Sequence, residues 1–311
     1  MNRHSPRITI GLPVYNGEKY LAQALDSILA QTFTDFELII SDNASTDQTQ
    51  AISQEYAQKD MRIRYQRNER NIGAAPNYNR VFQQASGEFF KWAAYDDLIA
   101  PEFLAKCVEV LEQHPDVILC YPRVKLIDSL GEVRENYDPQ PNVCGMKRPS
   151  DRFREFILHP HLALQLYGLY RTASLGKTKL HRSFPSSDEV LLSELALLGR
   201  FYELPERLFL NRVHEDQSTM GAQTTQRSRV AWIDTSLKGK IVLAHWMYFI
   251  ACLKVIANSK VSAGDKMRCQ AVMLTWFLKP PHFRAMGKDV LLATAKLFDV
   301  RRYPFLSSQK T

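Results

Sequence analysis

The 311-residue sequence predicts an α/β fold built around a doubly wound, mostly parallel sheet with helices on both faces. Apolar runs typical of strands alternate with helical apolar spacing over about the first hundred residues, which is the pattern of such sheets. Each run ends in a cluster of polar and turn-forming residues. In a parallel sheet these clusters would meet at one edge, so we expect a ligand cleft at the carboxyl ends of the strands.

The predicted elements follow one another with short connections. Strand-like runs occupy 7–13, 36–41, 63–66 and 87–97, and helical patterns occupy 18–30, 46–59, 75–85 and 101–113. Further along, the sequence predicts strands at 117–122, 162–171 and 201–210, a hairpin-like stretch at 128–131, a mobile loop at 134–152 and a helix at 190–198. Ser187 or Asp188 would cap that last helix, and Gly199 would close it.

The run at 87–97 carries the most informative pattern. It reads Gly-Glu-Phe-Phe-Lys-Trp-Ala-Ala-Tyr-Asp-Asp and stops on two adjacent carboxylates, Asp96 and Asp97. Two like charges at the end of a strand repel each other, and a divalent cation would offset the repulsion because hard cations bind carboxylate oxygens. A solvated turn that contains two aspartates by chance is the alternative interpretation.

Composition and motif content exclude several classes of protein. The five cysteines are widely spaced and include no CxxC pair, which argues against a zinc site or a disulfide framework and favours a reducing compartment. The N-terminal residues lack the apolar segment of a signal peptide. No GxGxxG follows the first strand and no GxxxxGK[ST] occurs, so dinucleotide and P-loop sites are disfavoured.

Several motifs in order give the first 220 or so residues a resemblance to a known family. They are Leu-Pro-Val-Tyr-Asn-Gly-Glu at 12–18, Gln-Thr-Phe at 31–33, Asp-Asn-Ala-Ser-Thr-Asp at 42–47, Asn-Ile-Gly-Ala-Ala at 71–75, the carboxylate pair at 96–97 and Arg-Val-His at 212–214. In content and spacing the sequence resembles glycosyltransferase family 2, whose members have the GT-A fold, a Rossmann-like sheet flanked by helices.

The resemblance implies a metal site and a donor site. Asp97 would be the direct ligand of Mn²⁺ or Mg²⁺, His214 would lie near the metal or the diphosphate, and Asp96 would contact the sugar or ribose. The donor-binding positions that the resemblance implies are Pro13, Tyr15, Glu18, Asp42, Asn43, Asn71, Asp96 and Arg212. Relatives often have a second aspartate where Asn43 stands, and an amide oxygen accepts a hydrogen bond from a base as a carboxylate does.

Inverting members of the family need a general base that takes the proton of the acceptor hydroxyl. The resemblance places this base at Asp188, with Glu189 as the adjacent alternative. A purely structural role for Asp188, as the cap of the following helix, is the competing interpretation.

The last quarter of the chain lies outside the resemblance and is strongly basic. Residues 226–311 contain 15 Lys and Arg but only 4 Asp and Glu, for a net charge of +11, whereas residues 1–225 have a net charge of −4. We expect a basic, apolar α-helical region that contacts either an anionic membrane surface or a second copy of the chain in a homodimer. Its apolar run at 240–260 is short for a membrane span and contains charge, so a helix packed on the catalytic domain or in a dimer is the alternative interpretation of this run. Apolar stretches at 267–278 and 290–298 are flanked by basic residues that include Arg301 and Arg302.

The aromatic residues of this region lie among apolar residues and no nucleic-acid module is recognisable, so we expect no nucleic-acid partner.

Together these features predict a metal-dependent inverting glycosyltransferase in residues 1–225. It would move a sugar from a UDP- or dTDP-type donor to a hydroxyl of a glycan or lipid-linked glycan, in the synthesis of cell-surface polysaccharide. The absence of a QxxRW motif and of transmembrane segments favours transfer of one sugar or a few over processive synthesis. We expect a cytoplasmic protein whose basic region contacts the inner face of the cytoplasmic membrane. A nucleotidyltransferase that acts on sugar phosphates and a non-catalytic module that binds sugar nucleotides are the alternatives.

Overall fold

A mixed sheet runs through the computed structural model, which describes residues 5–138, 141–215, 217 and 226–297. The strands in these residues are β1 Ile8–Val14, β2 Phe36–Asp42, β3 Ile63–Arg67, β4 Phe89–Trp92, β5 Leu98–Ile99, β6 Val117–Ile127, β7 Val133–Tyr137, β8 Leu169–Arg171 and β9 Arg200–Arg212. They are ordered β3-β2-β1-β4-β8-β6-β9-β5, and β7 also pairs with β6. The first four strands of this order are parallel to one another, which confirms the predicted α/β sheet.

Helices cover both faces of the sheet. The α-helices in the described residues are α1 Leu21–Leu29, α2 Thr49–Lys59, α3 Ala74–Gln83, α4 Phe103–Gln113, α5 Pro149–Leu158, α6 Thr172–Leu175, α7 Ser187–Leu198, α8 Gln226–Ile233, α9 Ala244–Asn258, α10 Ala263–Leu278 and α11 Pro280–Leu297. Short 3-10 helices lie at Leu164–Tyr167 and Thr235–Leu237.

Burial on both faces explains why the central strands are continuous apolar runs. All seven residues of β1 are buried, and the strand lies between two layers of core. On one side Leu25 of α1 and Phe103 of α4 have no exposed surface, and on the other side Val81 of α3 and Leu191 of α7 have none. Each such side chain contributes about 1.5–3 kcal/mol through burial.

The register of the parallel strands determines where the polar loops lie. Val14 at the end of β1 is opposite Asp42 at the end of β2, and Asp42 is in turn opposite Arg67 at the end of β3. The loops that follow these strands therefore start at the same height, along one edge of the sheet. This edge is where the sequence predicts a cleft.

Four predicted elements differ from the structure. Of the strand predicted at 162–171 only β8, Leu169–Arg171, is present, and Leu164–Tyr167 forms a 3-10 helix whose final residue precedes Gly168. The strand predicted at 87–97 ends at Trp92, because its partner β1 pairs with it only as far as Gly11. The mobile loop predicted at 134–152 is wrong. It contains β7, which pairs with β6, and the first turn of α5, which has a proline at its start. The helix predicted at 190–198 begins at Ser187, its N-cap is Ser186, and no side chain caps it.

The C-terminal region is helical in the described residues, as predicted. Helices α9 and α10 pack on α5 and α7 through a shared apolar cluster. Its buried members include Phe153, Phe184, Tyr248, Cys252 and Met273. No helix in 226–297 or in the other described ranges is long and apolar enough to span a membrane. The predicted boundary at 225 and the residues Phe298, Arg301 and Arg302 lie outside the described residues.

Candidate active site

The loop after β1 is joined to the start of α2 by reciprocal hydrogen bonds. The backbone N–H of Glu18 donates to Asp47 Oδ2 at 3.0 Å, and the backbone N–H of Gln48 donates to Glu18 Oε2 at 2.9 Å. Pro13 is buried within β1, whereas the ring of Tyr15 is 40% exposed at the rim of this loop. Tyr15 therefore has a side chain that is accessible to a ligand, and Pro13 does not.

Asp42, at the end of β2, is fully buried and uses both carboxylate oxygens. Oδ1 accepts from the backbone N–H of Ser45 at 2.8 Å. Oδ2 accepts from the Tyr65 hydroxyl at 2.9 Å and from Arg67 Nη1 at 2.7 Å. Burial and the Asp42 charge raise the pKa of Tyr65 to about 12. The side chain thus braces the ends of β2 and β3.

Asn43 is also buried, and its amide is occupied on both sides. Its Nδ2 donates to Asn71 Oδ1 at 3.0 Å and to the Gly73 carbonyl at 3.1 Å. Its Oδ1 accepts from Asn68 Nδ2 at 2.9 Å and from the Ile72 backbone at 3.0 Å. The side chain therefore links the loop after β2 to the loop before α3, and Asn71 takes part in the same network.

Asp97 lies in the turn between β4 and β5 and is almost fully buried. Its Oδ1 accepts from Asn211 Nδ2 at 3.0 Å and from the backbone N–H of Arg212 at 2.8 Å. Burial, followed by the charge of Asp96, raises the pKa of this carboxyl well above its usual range. The arrangement is that of a buried carboxylate held by N–H groups, in a place where a cation would stabilise its charge.

Arg212, the last residue of β9, is 1% exposed and hydrogen-bonded to protein oxygens. Its guanidinium also lies over the ring of Tyr20, 4.6 Å from the centroid. The guanidinium donates to the carbonyls of Asp96, Asp128 and Ser129 and to Gln23 Oε1, over 2.7–3.2 Å. The side chain thus holds together α1, the turn that contains Asp96 and Asp97, and the turn between β6 and β7.

His214, which follows β9, is hydrogen-bonded to Asp96 in the turn between β4 and β5. Its Nε2 lies 3.0 Å from Asp96 Oδ2, and its ring packs against Tyr20 at a centroid distance of 4.8 Å. The other ring nitrogen, Nδ1, is buried and has no hydrogen-bond partner among the described residues. When Nε2–H donates to the carboxylate, Nδ1 presents a lone pair, which is the form of histidine that binds metals.

Asp188 and Glu189 occupy the first turn of α7. Oδ1 of Asp188 accepts from the backbone N–H of Glu189 at 3.0 Å, and burial raises the pKa of Asp188. Burial and the neighbouring Asp188 charge raise the pKa of Glu189 to about 7. Tyr248 of α9 donates its hydroxyl to Glu189 Oε2 at 3.4 Å. Because Ser186 is the N-cap residue, the capping role considered for Asp188 is wrong.

Residues 9–177, which is more than half of the chain, match the sequence profile described as "Glycosyl transferase family 2". The chain belongs to glycosyltransferase family 2. The matched segment contains the loops after β1, β2 and β3 and the carboxylate pair Asp96 and Asp97. It ends before Asp188, Arg212 and His214.

Curated relatives of this glycosyltransferase support the assignment. An uncharacterized glycosyltransferase of Rickettsia typhi is 35% identical over 229 residues, covering 70% of this chain and 67% of that protein. An uncharacterized glycosyltransferase of Methanocaldococcus jannaschii is 29% identical over 176 residues, or 56% of this chain. The chain spans 59% of the length of the archaeal relative.

Solved structures show the same fold at low sequence identity. Staphylococcus aureus TarS, in complex with UDP-GlcNAc, superposes with a TM-score of 0.67 at 20% identity, covering 91% of this chain and 79% of that chain. The mannosyltransferase PcManGT from Pyrobaculum calidifontis, in complex with GDP-Man and Mn²⁺, gives a TM-score of 0.55 at 18% identity, with 94% and 76% coverage. These similarities confirm the GT-A fold of the glycosyltransferase.

Two tyrosines that the sequence did not single out lie among the acidic residues of the glycosyltransferase. The hydroxyls of Tyr78 in α3 and Tyr167 are 3.2 Å apart. Burial raises the pKa of Tyr78 above its usual range, and the charges of Asp96, Asp97 and Asp188 all raise it further. The charges of these three carboxylates therefore act on one buried tyrosine, although Asp188 is about 90 residues away from the other two in the sequence.

Two further buried groups border these carboxylates in the glycosyltransferase. Lys91 of β4 is 1% exposed, donates to the Tyr167 carbonyl and lines a small cavity together with Asp97. Burial lowers the pKa of Lys91 to about 7. His161 has a buried Nε2 without a partner in the described residues, and its charged form would lower the pKa of Asp188. Lys91 lies within the run at 87–97 but was not singled out there, and His161 belongs to no motif, so only the fold brings His161 to the site.

The residues around Asp97 fit a divalent cation as an incomplete ligand set. The carboxylate of Asp97 and the unpartnered Nδ1 of His214 are donors of the correct chemistry. In the described part of the chain, no three His, Cys, Asp or Glu side chains converge to hold a metal ion. A cation here would have few protein ligands, which is typical of sites where a substrate phosphate completes the shell.

Proposed function

We propose that the protein transfers a sugar from a nucleotide-diphosphate donor to an acceptor hydroxyl with inversion of the anomeric centre. The observation that carries this proposal is the buried Asp97 in a chain of glycosyltransferase family 2, where two N–H groups hold its Oδ1 and the Asp96–His214 pair lies beside it. The charges of Asp96, Asp97 and Asp188 all raise the pKa of the buried Tyr78, which supports a proposed metal site and a proposed base on the same part of the protein. Transfer from a donor to an acceptor needs such proximity.

The donor would be of the UDP or dTDP type and would lie along the loops after β1 and β2. Tyr15 has an accessible ring that can stack on the base. We assign Asp42, Asn43 and Asn71 to the support of these loops, because their side chains are bonded to protein groups. Pro13 and Glu18 would shape the same border. The UDP-GlcNAc complex of TarS supports a uridine donor.

Mn²⁺ or Mg²⁺ would be held by Asp97 and by Nδ1 of His214, and Mn²⁺ in the PcManGT complex supports the use of a divalent cation. When bound, the cation offsets the charge of the diphosphate leaving group. Asp96 fixes the His214 ring through Oδ2, and its second oxygen is the atom we assign to the sugar or ribose. Arg212 acts as a positioning residue, because its guanidinium is hydrogen-bonded to protein oxygens.

Asp188 would take the proton of the attacking hydroxyl. A pKa raised by burial makes its carboxylate a better proton acceptor than an exposed aspartate. Glu189 is the adjacent alternative, but Tyr248 already donates to its carboxylate. The acceptor would be a glycan or a lipid-linked glycan in cell-surface polysaccharide synthesis, and the basic C-terminal helices would bring the enzyme to an anionic membrane surface.

The test combines donor binding with transfer in two isosteric variants. Thermal shifts with UDP-, dTDP- and GDP-sugars, with and without Mn²⁺, would identify the donor. We expect Asp97→Asn to lose the Mn²⁺-dependent shift. We expect Asp188→Asn to keep donor binding and to lose transfer by about 100-fold or more, the range for removal of a general base. Asp116→Asn, in an exposed pair with Arg200, is the control.

The released product distinguishes a glycosyltransferase from a nucleotidyltransferase and from a non-catalytic binding module. Glycosyl transfer releases a nucleoside diphosphate, whereas nucleotidyl transfer to a sugar phosphate releases pyrophosphate. Donor binding with neither product would support the non-catalytic module. Wild-type transfer by Asp188→Asn would contradict its role as the base.

A further inference from the structure

A second cleft, of about 810 Å³, lies between α7 and α9. Its walls come from residues 177–184, from the C-terminal half of α7 and from the outer face of α9. Glu194 of α7 lines it six residues beyond Asp188, so at 1.5 Å per residue the cleft begins about 9 Å along α7 from the proposed base.

The lining of the cleft is strongly cationic. Lys177, Lys179, Arg182 and Lys254 line it, against the single carboxylate of Glu194. Arg182 Nη2 uses that carboxylate at 2.8 Å. Within the described ranges, no ion pair or hydrogen bond is formed by the three lysine ammonium groups. The cleft therefore has a surplus of positive charge that an anion would neutralise.

Arg182 also has an unused hydrogen-bond donor. Its Nη1 is buried and makes no hydrogen bond in the part of the chain that the structure describes. A buried N–H without an acceptor has lost its hydration without compensation, and the loss is greater for a charged group, so this position favours a ligand that supplies an oxygen. Phosphate oxygens match a guanidinium well, because they accept its N–H groups in pairs.

The opposite wall of the cleft is apolar and elongated. Met247 and Ile250 of α9 and Leu198 of α7 line it, and each leaves more than a third of its surface exposed. Along α9 the apolar lining extends from Met247 to Val255, about 12 Å at 1.5 Å per residue, and Lys254 lies near one end of it. An exposed apolar wall beside unpaired cations is suited to a ligand with a hydrocarbon chain and an anionic end.

One end of this cleft lies toward the proposed base. Met247, which lines the cleft, precedes Tyr248, and the Tyr248 hydroxyl donates to Glu189 next to Asp188. An amphiphile in the cleft would therefore lie alongside α7, with one end directed toward the first turn of this helix and separated from it by about 9 Å.

We propose that the cleft binds a lipid phosphate, the anchor of a lipid-linked acceptor. The phosphate would contact Arg182 and the lysines, and the chain would lie against Met247 and Ile250. The occupant is a lipid phosphate and not a free phosphate because the apolar wall extends beyond the cations. It is not a nucleic acid, because the cleft offers no pair of aromatic rings for base stacking among the described residues. The connection to sugar transfer rests on the proposed function, but the binding site does not.

Calorimetric titration of the full chain would test the cleft with farnesyl phosphate, farnesol, inorganic phosphate and a short-chain phosphatidylglycerol. We expect farnesyl phosphate to bind at least about tenfold more tightly than the other three, since it alone offers both a dianionic head and a chain. Equal binding of inorganic phosphate would overturn the role of the apolar wall. Equal binding of phosphatidylglycerol would overturn the assignment to an acceptor anchor.

Two cleft variants and a matched control locate the site. Lys254→Glu should weaken farnesyl phosphate binding by about tenfold, and Ile250→Asp should remove the preference over inorganic phosphate. Lys260→Glu makes the same charge change at an exposed position outside the cleft, and it should change binding less than about twofold. Equal losses in Lys254→Glu and Lys260→Glu would overturn the site. Unchanged melting temperatures would show that the variants are folded.

Measuring the binding of nucleotide sugars as well separates the test of the cleft from the test of the proposed function. A protein that binds farnesyl phosphate as expected but no nucleotide sugar would contradict the proposed function and retain the cleft. A protein that binds nucleotide sugars but not farnesyl phosphate would contradict the cleft alone.

Discussion

At the scale of single residues, the site is built from buried carboxylates whose partners are mostly backbone groups and neutral side chains. Asp97 receives two N–H groups and Asp188 receives one, and burial raises the pKa of each. Asp42 differs, because Arg67 neutralises it at 2.7 Å. Asp97 and Asp188, which are proposed to meet a cation or a proton, are thus held without a guanidinium group, whereas Asp42, which supports a loop, is paired with one.

The raised pKa of Glu189 predicts that the free energy of unfolding depends on pH. Its pKa is raised from 4.5 to about 7, so the folded protein retains a proton that the unfolded chain loses as pH rises through this interval. The free energy of unfolding should therefore fall between about pH 4.5 and 7 and level off above pH 7. Glu189→Gln should remove this fall and stabilise the protein above pH 7 by up to about 3 kcal/mol, at about 1.4 kcal/mol per pKa unit.

Urea denaturation of both proteins across this pH range measures the effect. Identical pH profiles for the wild type and Glu189→Gln would contradict the raised pKa. The substitution leaves an amide oxygen that accepts from Tyr248, so loss of that hydrogen bond does not confound the comparison.

Sequence reasoning located some of these residues and not others, for a physical reason. Asp42, Asp96 and Asp97 follow strands, and strand periodicity together with polar turns is visible in the chain. Tyr78 and Tyr167 are separated by 89 positions and touch only through the fold. The sequence also does not show that the side chains of Asn43 and Arg212 are hydrogen-bonded to protein groups, because residue type does not specify a hydrogen-bond partner.

At the scale of elements, Gly73 determines how the loop before α3 meets the segment after α8. Its φ is +93°, and a Cβ at this position would lie 2.5 Å from the Ile233 carbonyl oxygen and 2.6 Å from the Asp234 Cα. The contact is reinforced by Thr235, whose hydroxyl donates to the Asn71 carbonyl at 2.8 Å. The loop that contains Asn71 is thus supported from the C-terminal side of the chain.

Gly73→Ala should destabilise the protein by roughly 2–4 kcal/mol, because it combines a positive φ with a backbone clash. Gly145→Ala is a matched control, since Gly145 has a φ of +81° and a methyl group added there would have no atom of the described residues within 4 Å. It should cost only about 1–2 kcal/mol for the backbone conformation. Equal losses in chemical denaturation would show that the contact with Ile233 and Asp234 contributes nothing.

Elements with strong periodicity were predicted and those without it were missed. Strands β1 to β3 are apolar runs that end in turn residues, and their observed bounds differ from prediction by one residue at each end or less. Strand β7 reads Val-Arg-Glu-Asn-Tyr, with four of five residues exposed, so neither alternation nor burial marks it. It exists because β6, the strand before it in the same hairpin, offers it hydrogen bonds.

At the scale of the whole molecule, the C-terminal helices share a core with the catalytic part. Phe153 of α5 and Val190 of α7 belong to the same apolar cluster as Tyr248 and Met273. From the sequence, these helices could pack on the catalytic domain, on a second copy or on a membrane, because apolar spacing shows that a face is buried and not what covers it. We propose that the helical region and the catalytic domain unfold as one unit.

Met273→Ala tests this cooperativity. Met273 has no exposed surface, so its truncation should cost about 2–5 kcal/mol and should lower a single calorimetric transition of the full chain. Met267→Ala, on the same helix at 68% exposure, should have little effect. Two separate transitions, with only one shifted by Met273→Ala, would contradict a common unfolding unit.

The hydroxyl of Tyr248 in α9 donates to Glu189, which follows the proposed base Asp188. Other residues of α9 line the proposed lipid cleft. Two sites that are coupled change each other's binding free energies by the same amount, whichever is occupied first. A ligand that moves α9 would therefore change how readily Glu189 ionises, and the ionisation of Glu189 would change the affinity for that ligand. The arrival of an acceptor would then change the ionisation of Glu189, next to the proposed base, through the hydroxyl of Tyr248.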